Sequence, residues 1–411
     1  MAHLNSKQKR SAATIVIAQS ATKLGDVLTN PKTVLTWLLS SLGVSGAVLS
    51  MLVPIRESGS MLPQLFISGW VKRARTRKWV YVGGAVAQAL AIAAMGIAAL
   101  TLPPTLAGVT VLLALACFSI ARAFCSISSK DVLGRTIPKG FRGRVSGISN
   151  TASGLISAVA AVSLILFRPD GSAQFLAWLV LGASLLWVVG AVFYSMVAEP
   201  EPDDSSAPPN GKEGIATRLQ LVKDDPRFRT FIIARSLLLG SALASPLLVL
   251  LGQQQGASLG SLIGFVVASG LAAASSSFLW GRLADRAGRL AMAWGGFFAA
   301  GVGGTSCLLA LWSPAWLENP LVWPALFLLF NIGYAGTRLG RKTWVVDAAE
   351  GDRRTDYVSA SNTLIAVMIL LVGAINSPLQ AWNPLVSLAL YSAFCLLGGI
   401  VALRLKNKPA G

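Results

Sequence analysis

Long apolar stretches recur along the chain from about residue 33 to residue 405, separated by short polar segments. A helix that crosses a bilayer needs about 20 apolar residues. The stretches are too long and too uniformly apolar for the alternating strands of a transmembrane barrel. We therefore predict an all-α polytopic membrane protein. Its twelve predicted spans are 33–53, 57–71, 79–101, 105–129, 145–167, 173–197, 229–251, 257–280, 290–312, 321–341, 357–379 and 382–404.

The polar segments divide the spans into two sets of six. Residues 198–228 are acidic and rich in proline, which is typical of a flexible linker. Residues 33–197 are then an N-terminal six-helix bundle, and residues 229–411 are a C-terminal bundle with a short tail. Residues 1–32 are polar and basic, and we predict a cytoplasmic amphipathic segment on the inner leaflet.

The two halves share residues at constant separations, which indicates a duplicated six-helix unit and two pseudo-symmetric bundles. Near the start of each half the matching residues are 195 apart, whereas later matches are 212 apart. The change predicts a first helical hairpin that is 17 residues shorter than its counterpart, with a helix break at Pro54. The later matches are Gly69 with Gly281, Arg77 with Arg289, Lys130 with Lys342, and Ser149 with Ser361.

Composition supports a membrane protein and excludes other classes. The chain is 54% hydrophobic and 13% charged, with a mean hydropathy of +0.63. Soluble proteins carry about 25% charged residues, so a soluble enzyme, a disordered protein and a secreted domain with one anchor are excluded. The net charge of +18 comes from clusters between spans, and 31 of the 35 basic residues lie on one side. This predicts a multi-pass inner-membrane protein with both termini in the cytoplasm, not a nucleic-acid-binding protein.

The sequence contains few candidate catalytic side chains. All four cysteines lie in apolar stretches, where we expect small buried side chains without disulfides, and the one histidine is His3 in the leading tail. No pair of intramembrane carboxylates, nucleophile–base pair or nucleotide-binding glycine loop is found. We expect no catalytic residue, no metal and no cofactor, and a membrane-embedded enzyme is disfavoured.

The loop between predicted helices 8 and 9, Gly281-Arg-Leu-Ala-Asp-Arg-Ala-Gly-Arg289, resembles the signature loop of the major facilitator superfamily. The equivalent loop after helix 2 keeps a glycine and a basic end. It has Arg73 where the family has aspartate and Thr76 where the family has glycine. Twelve helices, two halves of six and a cytoplasmic linker extend the resemblance over the whole chain.

The resemblance implies a monomeric transporter that moves a small solute by rocker-switch alternating access. It also implies that Asp285 helps to close the cytoplasmic side. Arg73 makes the same closure doubtful in the N-terminal half. The candidate gate residues are Gly281, Asp285, Arg286, Gly288, Arg289, Arg73, Arg77, Arg338, Arg341 and Asp347.

Charged residues inside the spans are costly in a bilayer and are candidate functional residues. Arg122 resembles an arginine that lines the cavity in the family, where it would bind the substrate or take part in coupling. The alternative role is structural, with Arg122 donating hydrogen bonds to a neighbouring carbonyl group. Arg56 and Glu57 follow the predicted break, either recessed in the outer half of the membrane or exposed in a turn. Glu57 is then the obvious proton carrier. Arg235 lies two turns into its helix, where extension to the inner interface competes with a place in the cavity.

Four polar residues in the predicted spans are further candidates: Gln64, Asn331, Tyr334 and Asn362. We expect them either to line a cavity or to form hydrogen bonds between helices. Three cations against one carboxylate favour an anionic or zwitterionic organic solute. The sequence is compatible both with transport coupled to protons through Glu57 and with facilitated diffusion. The alternatives are a multidrug or amphiphile exporter and a lipid-translocating or non-transporting member of the same fold.

Overall fold

A computed structural model describes residues 5–63, 74–138, 172–200, 222–255, 259–312, 315–347 and 352–405, together with a few single residues between these ranges. The described residues are helical and contain no strand. The helices are α1 (Ser6–Leu28), α2 (Val34–Ser41), α3 (Gly46–Met61), α4 (Arg77–Thr101), α5 (Pro104–Thr136), α6 (Ala173–Ser195), α7 (Pro226–Leu237), α8 (Gly240–Leu243), α9 (Ser245–Gln254), α10 (Leu259–Arg286), α11 (Gly288–Trp312), α12 (Val322–Asp347), α13 (Asp352–Trp382) and α14 (Pro384–Leu403), with a 3-10 turn at Ala315–Glu318.

Most predicted spans coincide with these helices. Seven helical segments of the described chain are long and apolar enough to cross a membrane, and an eighth is a bent pair within α10. The continuous run Pro226–Gln254, made of α7, α8 and α9, counts as one of the seven. Most of the fifth predicted span, 145–167, lies outside the described residues.

The helices repeat with one constant separation, which corrects the predicted register. The starts of α2 and α9, of α3 and α10, and of α4 and α11 all differ by 212 residues to within one position. The first hairpin is therefore not shorter than its counterpart, and the match at a separation of 195 was wrong. It rested on a short run of similar residues that the helices do not place in equivalent positions.

The predicted helix break at Pro54 is also wrong. Pro54 lies inside α3, which continues to Met61, so Arg56 and Glu57 are helical residues and not turn residues. The chain instead turns between α2 and α3, where Gly43 has a φ of 77°. Side chains with a Cβ rarely adopt this left-handed conformation, so glycine is the residue that allows the turn.

Contacts divide the chain into two units. The first comprises residues 1–30, 41–44 and 55–210, and the second comprises residues 31–40, 45–54 and 211–411. This division differs from the predicted boundary at residue 33, because most of 31–54 belongs to the second unit. Within the first unit α4 packs against α5 and α6, and α1 packs against α6.

Helix α1 is part of the first unit's core, which contradicts the prediction of a separate amphipathic segment at residues 1–32. Ile15 and Ala18 are fully buried. Two glycines allow the close approach of α1 and α6. A Cβ on Gly25 would lie 2.6 Å from the Trp187 ring, and one on Gly190 would lie 2.7 Å from the Thr22 methyl group. The polar sequence of α1 concealed this burial.

In the second unit, α11 packs against α12 and α14, α10 packs against α12, and α7 packs against α14. Asp225 caps the N terminus of α7 by accepting hydrogen bonds from the backbone N–H groups of Arg227 and Phe228. Burial alone would raise the pKa of Asp225. Hydrogen bonds from Tyr357 and from the two backbone groups outweigh burial and hold that pKa below its ordinary value.

Large apolar side chains cover the outer faces of both units. Leu90 and Leu185 in the first unit are 67% and 63% exposed, and Leu308 and Ile375 in the second are 68% and 73% exposed. Such apolar surface is typical of a lipid-facing helix. The cysteines are free thiols; three are buried as expected, but Cys117 is exposed.

Glycines on both helices bring α11 and α12 into backbone contact. A Cβ on Gly340 would lie 2.5 Å from the carbonyl oxygen of Gly288 and 2.6 Å from the backbone nitrogen of Met292. One on Gly295 would lie 2.6 Å from the backbone nitrogen of Thr337. Backbone atoms cannot move aside as a flexible side chain can, so this contact requires glycine.

We expect Gly340→Ala to lower the free energy of unfolding by ~1–3 kcal/mol, because the methyl group forces the two backbones apart. The measurement is the thermal midpoint of the purified protein in detergent. Gly304→Ala on α11 is the control, since a Cβ there meets nothing within 4 Å. Equal midpoints for the two variants would contradict the close contact.

Candidate functional site

The first unit contains a polar cavity of about 250 Å³. It lies between α1, α4 and α5, and three of its lining residues carry charges. A cavity of this size admits a small solute, since sites for drug-sized molecules are about 300–1,000 Å³. The lining residues are Gln19, Thr22, Lys23, Asp26, Tyr81, Gln88, Arg122, Cys125, Ser126 and Ser129.

Asp26 is the centre of the charge arrangement. Its Oδ1 lies 2.5 Å from Nη1 of Arg122 on α5 and 3.1 Å from Nη2 of Arg56 on α3. The guanidinium of Arg56 also lies over the Phe118 ring, 4.6 Å from its centroid. One carboxylate oxygen in the last turn of α1 therefore connects three helices.

Lys23 adds a third cation to this region. It precedes Asp26 by three residues on α1, so both side chains project from one face of the helix. Its ammonium group donates a hydrogen bond to Ser149 Oγ over 3.2 Å. Lys23, Arg56 and Arg122 together outnumber Asp26, and the cavity region carries excess positive charge.

The opposite wall of the cavity is neutral and ordered. Gln88 donates from Nε2 to the Cys125 sulfur over 3.1 Å, and the Cys125 thiol donates to the Tyr81 carbonyl over 3.4 Å. The Tyr81 ring stacks on Tyr194 with 3.6 Å between centroids. These contacts hold α4 and α5 in place beside the charged groups.

The structure brings two of the predicted site residues, Arg56 and Arg122, to the same carboxylate. Glu57 is half-buried in α3, and among the described residues it forms no ion pair. Gln64 lies outside the described residues. Lys23 and Asp26 were not predicted as site residues, because the polar sequence of α1 indicated a helix on the membrane surface. The prediction of one carboxylate against three cations did not include Asp26, which contacts two of those cations.

A signal for the missed residues was present in the sequence. Lys23 and Arg235 are 212 residues apart, and so are their hydrogen-bond partners Ser149 and Ser361. If the separation of 212 residues had been applied to the first helix, Lys23 would have been recognised as the equivalent of Arg235, which was already a candidate.

In the second unit, Arg235 is buried and does not extend to a lipid interface. It is 6% exposed, and it donates hydrogen bonds to Ser361 and, over 3.1 Å, to Asn362 Oδ1. Asn331 accepts a hydrogen bond from Ser245 over 3.2 Å, which joins α12 to α9. The ammonium nitrogen of Lys32 lies over the Tyr334 ring, 4.1 Å from its centroid.

Two of the candidate gate residues have clear partners. Arg77 forms an ion pair with Asp131 at 2.7 Å, and Arg289 donates to the carbonyl oxygens of Leu403 and Leu405 at the end of α14. Asp285 and Arg286 are exposed at the end of α10, and Asp285 forms no ion pair within the described chain.

The other gate candidates have varied surroundings. Gly288 packs on the Gly340 backbone, whereas a Cβ on Gly281 would meet nothing within 4 Å. Arg338 approaches the Tyr334 ring at 5.8 Å, and Arg341 lines a second cavity. Arg73 and the side chain of Asp347 lie outside what the structure describes. A gating role for this set stays a prediction.

Comparison with known proteins places this arrangement in a family. The sequence profile of the major facilitator superfamily matches residues 15–373. No curated protein sequence matches the chain at a significant level. Among the described residues, no group of His, Cys, Asp and Glu side chains has the arrangement of a metal site.

Solved structures with the same fold include several transporters. A D-xylose–proton symporter matches with a TM-score of 0.65 and 13% identity, over 96% of this chain and 97% of that one. A bacterial homologue of the human lysosomal transporter Spinster, inward-facing and unoccupied, matches with a TM-score of 0.64 and 13% identity over 99% and 100%. The POT family transporter PepTSo matches with a TM-score of 0.68 and 10% identity over 96% of this chain and 97% of that one.

The profile match covers most of the chain, and the apolar helices agree with it. The protein is an integral multi-pass membrane protein with the fold of twelve transmembrane helices in two pseudo-symmetric sets of six, and its family indicates a transporter rather than an enzyme. The chain belongs to the major facilitator superfamily.

Proposed function

We propose that the protein transports a small organic anion or zwitterion by rocker-switch alternating access, and that the cavity of the first unit receives the anionic group. The observation that carries the proposal is the positive excess around Asp26, where Lys23, Arg56 and Arg122 lie near one carboxylate. In a medium of low dielectric, such an excess attracts anions and repels cations.

Asp26 acts in this proposal as an internal counter-ion. Because it uses only Oδ1 to contact both arginines, an incoming carboxylate or phosphate can compete for the same guanidinium groups. Asp26 pairs with both arginines when no solute is bound, and the anionic group of the solute displaces it when the solute arrives. The cavity volume of about 250 Å³ limits the solute to a small molecule.

We propose that proton coupling uses the same carboxylate. A proton on Asp26 would cancel its charge, weaken both ion pairs and leave the arginines available to the anion. Glu57 remains the other candidate carrier, since it follows Arg56 directly in α3. We assign the coupling role to Asp26 because Asp26 contacts the cations that the solute requires.

The remaining features of the proposal concern placement in the cell. The basic clusters on one side favour an inner-membrane location with both termini in the cytoplasm, and a monomer is the expected state. A multidrug exporter of lipophilic cations is disfavoured by the sign of the cavity. A lipid translocator or a non-transporting member of the fold is an outcome that the first experiment distinguishes.

Arg122→Gln should weaken binding of the organic anion by about 10- to 100-fold, because a charge-assisted hydrogen bond contributes ~1.5–3 kcal/mol. The measurement is the thermal shift of purified protein with matched panels of organic carboxylates and phosphates, organic cations, neutral sugars and lysolipids. A ligand at 100 times its dissociation constant stabilises by ~2.7 kcal/mol, which gives a visible shift.

Lys130→Gln is the matched control, since it removes one cation from the exposed surface of the same helix. It should bind the anion as the unchanged protein does. Stabilisation of the unchanged protein by cations or by lysolipids alone would contradict the anion proposal and favour an exporter or a lipid-handling protein.

Asp26→Asn should remove the pH dependence of solute uptake into liposomes, because the amide cannot take up a proton. Glu57→Gln should keep the pH profile of the unchanged protein. The opposite result for the two variants would transfer the coupling role to Glu57. If Asp26→Asn gives little folded protein, the double variant Asp26→Asn/Arg56→Gln restores the local charge balance and allows the same comparison.

A further inference from the structure

The second unit contains a small cavity at the place that corresponds to the cavity of the first unit. It is lined by residues of α7, α11 and α12 and by the segment after α7. Five of its lining residues are 212 positions after lining residues of the first cavity, so the two cavities are the same place in the repeat. The equivalent pairs are Lys23 and Arg235, Asp26 and Leu238, Arg122 and Tyr334, Cys125 and Thr337, and Ser129 and Arg341.

The charges of the two cavities differ in a simple way. The helix-one cation is present in both, as Lys23 and as Arg235. The carboxylate of Asp26 is replaced by the apolar side chain of Leu238, and Arg341 adds a second cation. The second cavity therefore has cations and no carboxylate in its lining.

Arg235 is buried deeply in this cavity and lacks a counter-ion among the described residues. Its Nη groups donate to Ser361 and Asn362, whereas its buried Nε has no hydrogen-bond partner. None of the ion pairs found among the described residues involves Arg235. A buried charge without a partner is strongly destabilising, so the described surroundings of Arg235 favour the binding of an anion in this cavity.

The surroundings of the cavity strengthen its positive potential. Arg341 lines the same cavity and repels Arg235. Tyr334 forms one wall, and Lys32 and Arg338 both approach its ring. Leu238, Leu239 and Met292 form an apolar part of the lining, and low-dielectric surroundings of this kind strengthen a charge interaction.

The size of the cavity selects the kind of anion. Its volume is about 10 Å³, which is room for one water-sized particle. We propose that Arg235 and Arg341 hold a monatomic inorganic anion of the halide class, chloride in practice, which takes the place of the carboxylate that Asp26 supplies in the first unit. The site is independent of the identity of the transported solute.

The test is the thermal midpoint of the full-length protein in detergent at constant ionic strength, with chloride replaced stepwise by gluconate. Gluconate is too large for the cavity. The midpoint of the unchanged protein should rise saturably with chloride. Arg235→Gln should remove this response, and Arg338→Gln should retain it, since Arg338 is exposed and does not line the cavity.

Leu238→Asp gives a second, independent test. It places a carboxylate at the position equivalent to Asp26, so the midpoint should become insensitive to chloride. Leu238→Asn has the same size without the charge and should remain chloride-sensitive. If Arg235→Gln does not fold, Arg341→Gln serves in its place, because Arg341 is only partly buried.

The outcomes are decisive in both directions. An unchanged protein whose midpoint ignores chloride would overturn the proposal. A full chloride response in Arg235→Gln and Arg341→Gln would also overturn it, by showing that the ion binds elsewhere. Because no solute is present, failure here leaves the organic-anion proposal intact, and the solute panel with Arg122→Gln fails or succeeds separately.

Discussion

The fold of the first unit depends on one partly buried carboxylate that forms ion pairs with two arginines. Asp26 holds α1, α3 and α5 together through Arg56 and Arg122. A cation inside a membrane protein is tolerated only when a partner compensates the loss of hydration. Here the compensation comes from a helix whose sequence is polar, so α1 must be packed inside the unit for the arginines to be stable. The polar sequence of α1 and the arginines of α3 and α5 therefore depend on each other.

The same constraint explains how the halves of the repeat have diverged. Both keep a cation on the first helix of the half, bonded to a serine that is likewise repeated. The first unit then offsets part of its positive charge with Asp26, whereas the second replaces both members of the Asp26–Arg122 pair with Leu238 and Tyr334. A duplicated framework has retained its geometry while its two cavities acquired different electrostatics.

Much of the fold could be predicted from the sequence, because apolar length is a strong signal for a membrane helix. The helices α4, α6 and α11 begin and end within two residues of their predicted spans. Burial of polar helices cannot be seen in this way, and α1 was therefore misplaced. Pro54 was misjudged because a proline in a helix is tolerated where the neighbouring chain packs around it, and here it lies against Gly373. For the site, isolated charges in apolar spans identified Arg56 and Arg122. Their carboxylate partner Asp26 was not identified, because it lies in the polar helix α1, where a charged residue is not unusual.

The glycine contact between α11 and α12 has a mechanical consequence. Two helices whose backbones touch along Gly288, Gly295, Gly333 and Gly340 cannot slide or rotate separately without collision. A displacement at Tyr334, Thr337 or Arg341 on α12 therefore acts directly on the backbone of α11. We expect the two helices to move together during a transport cycle.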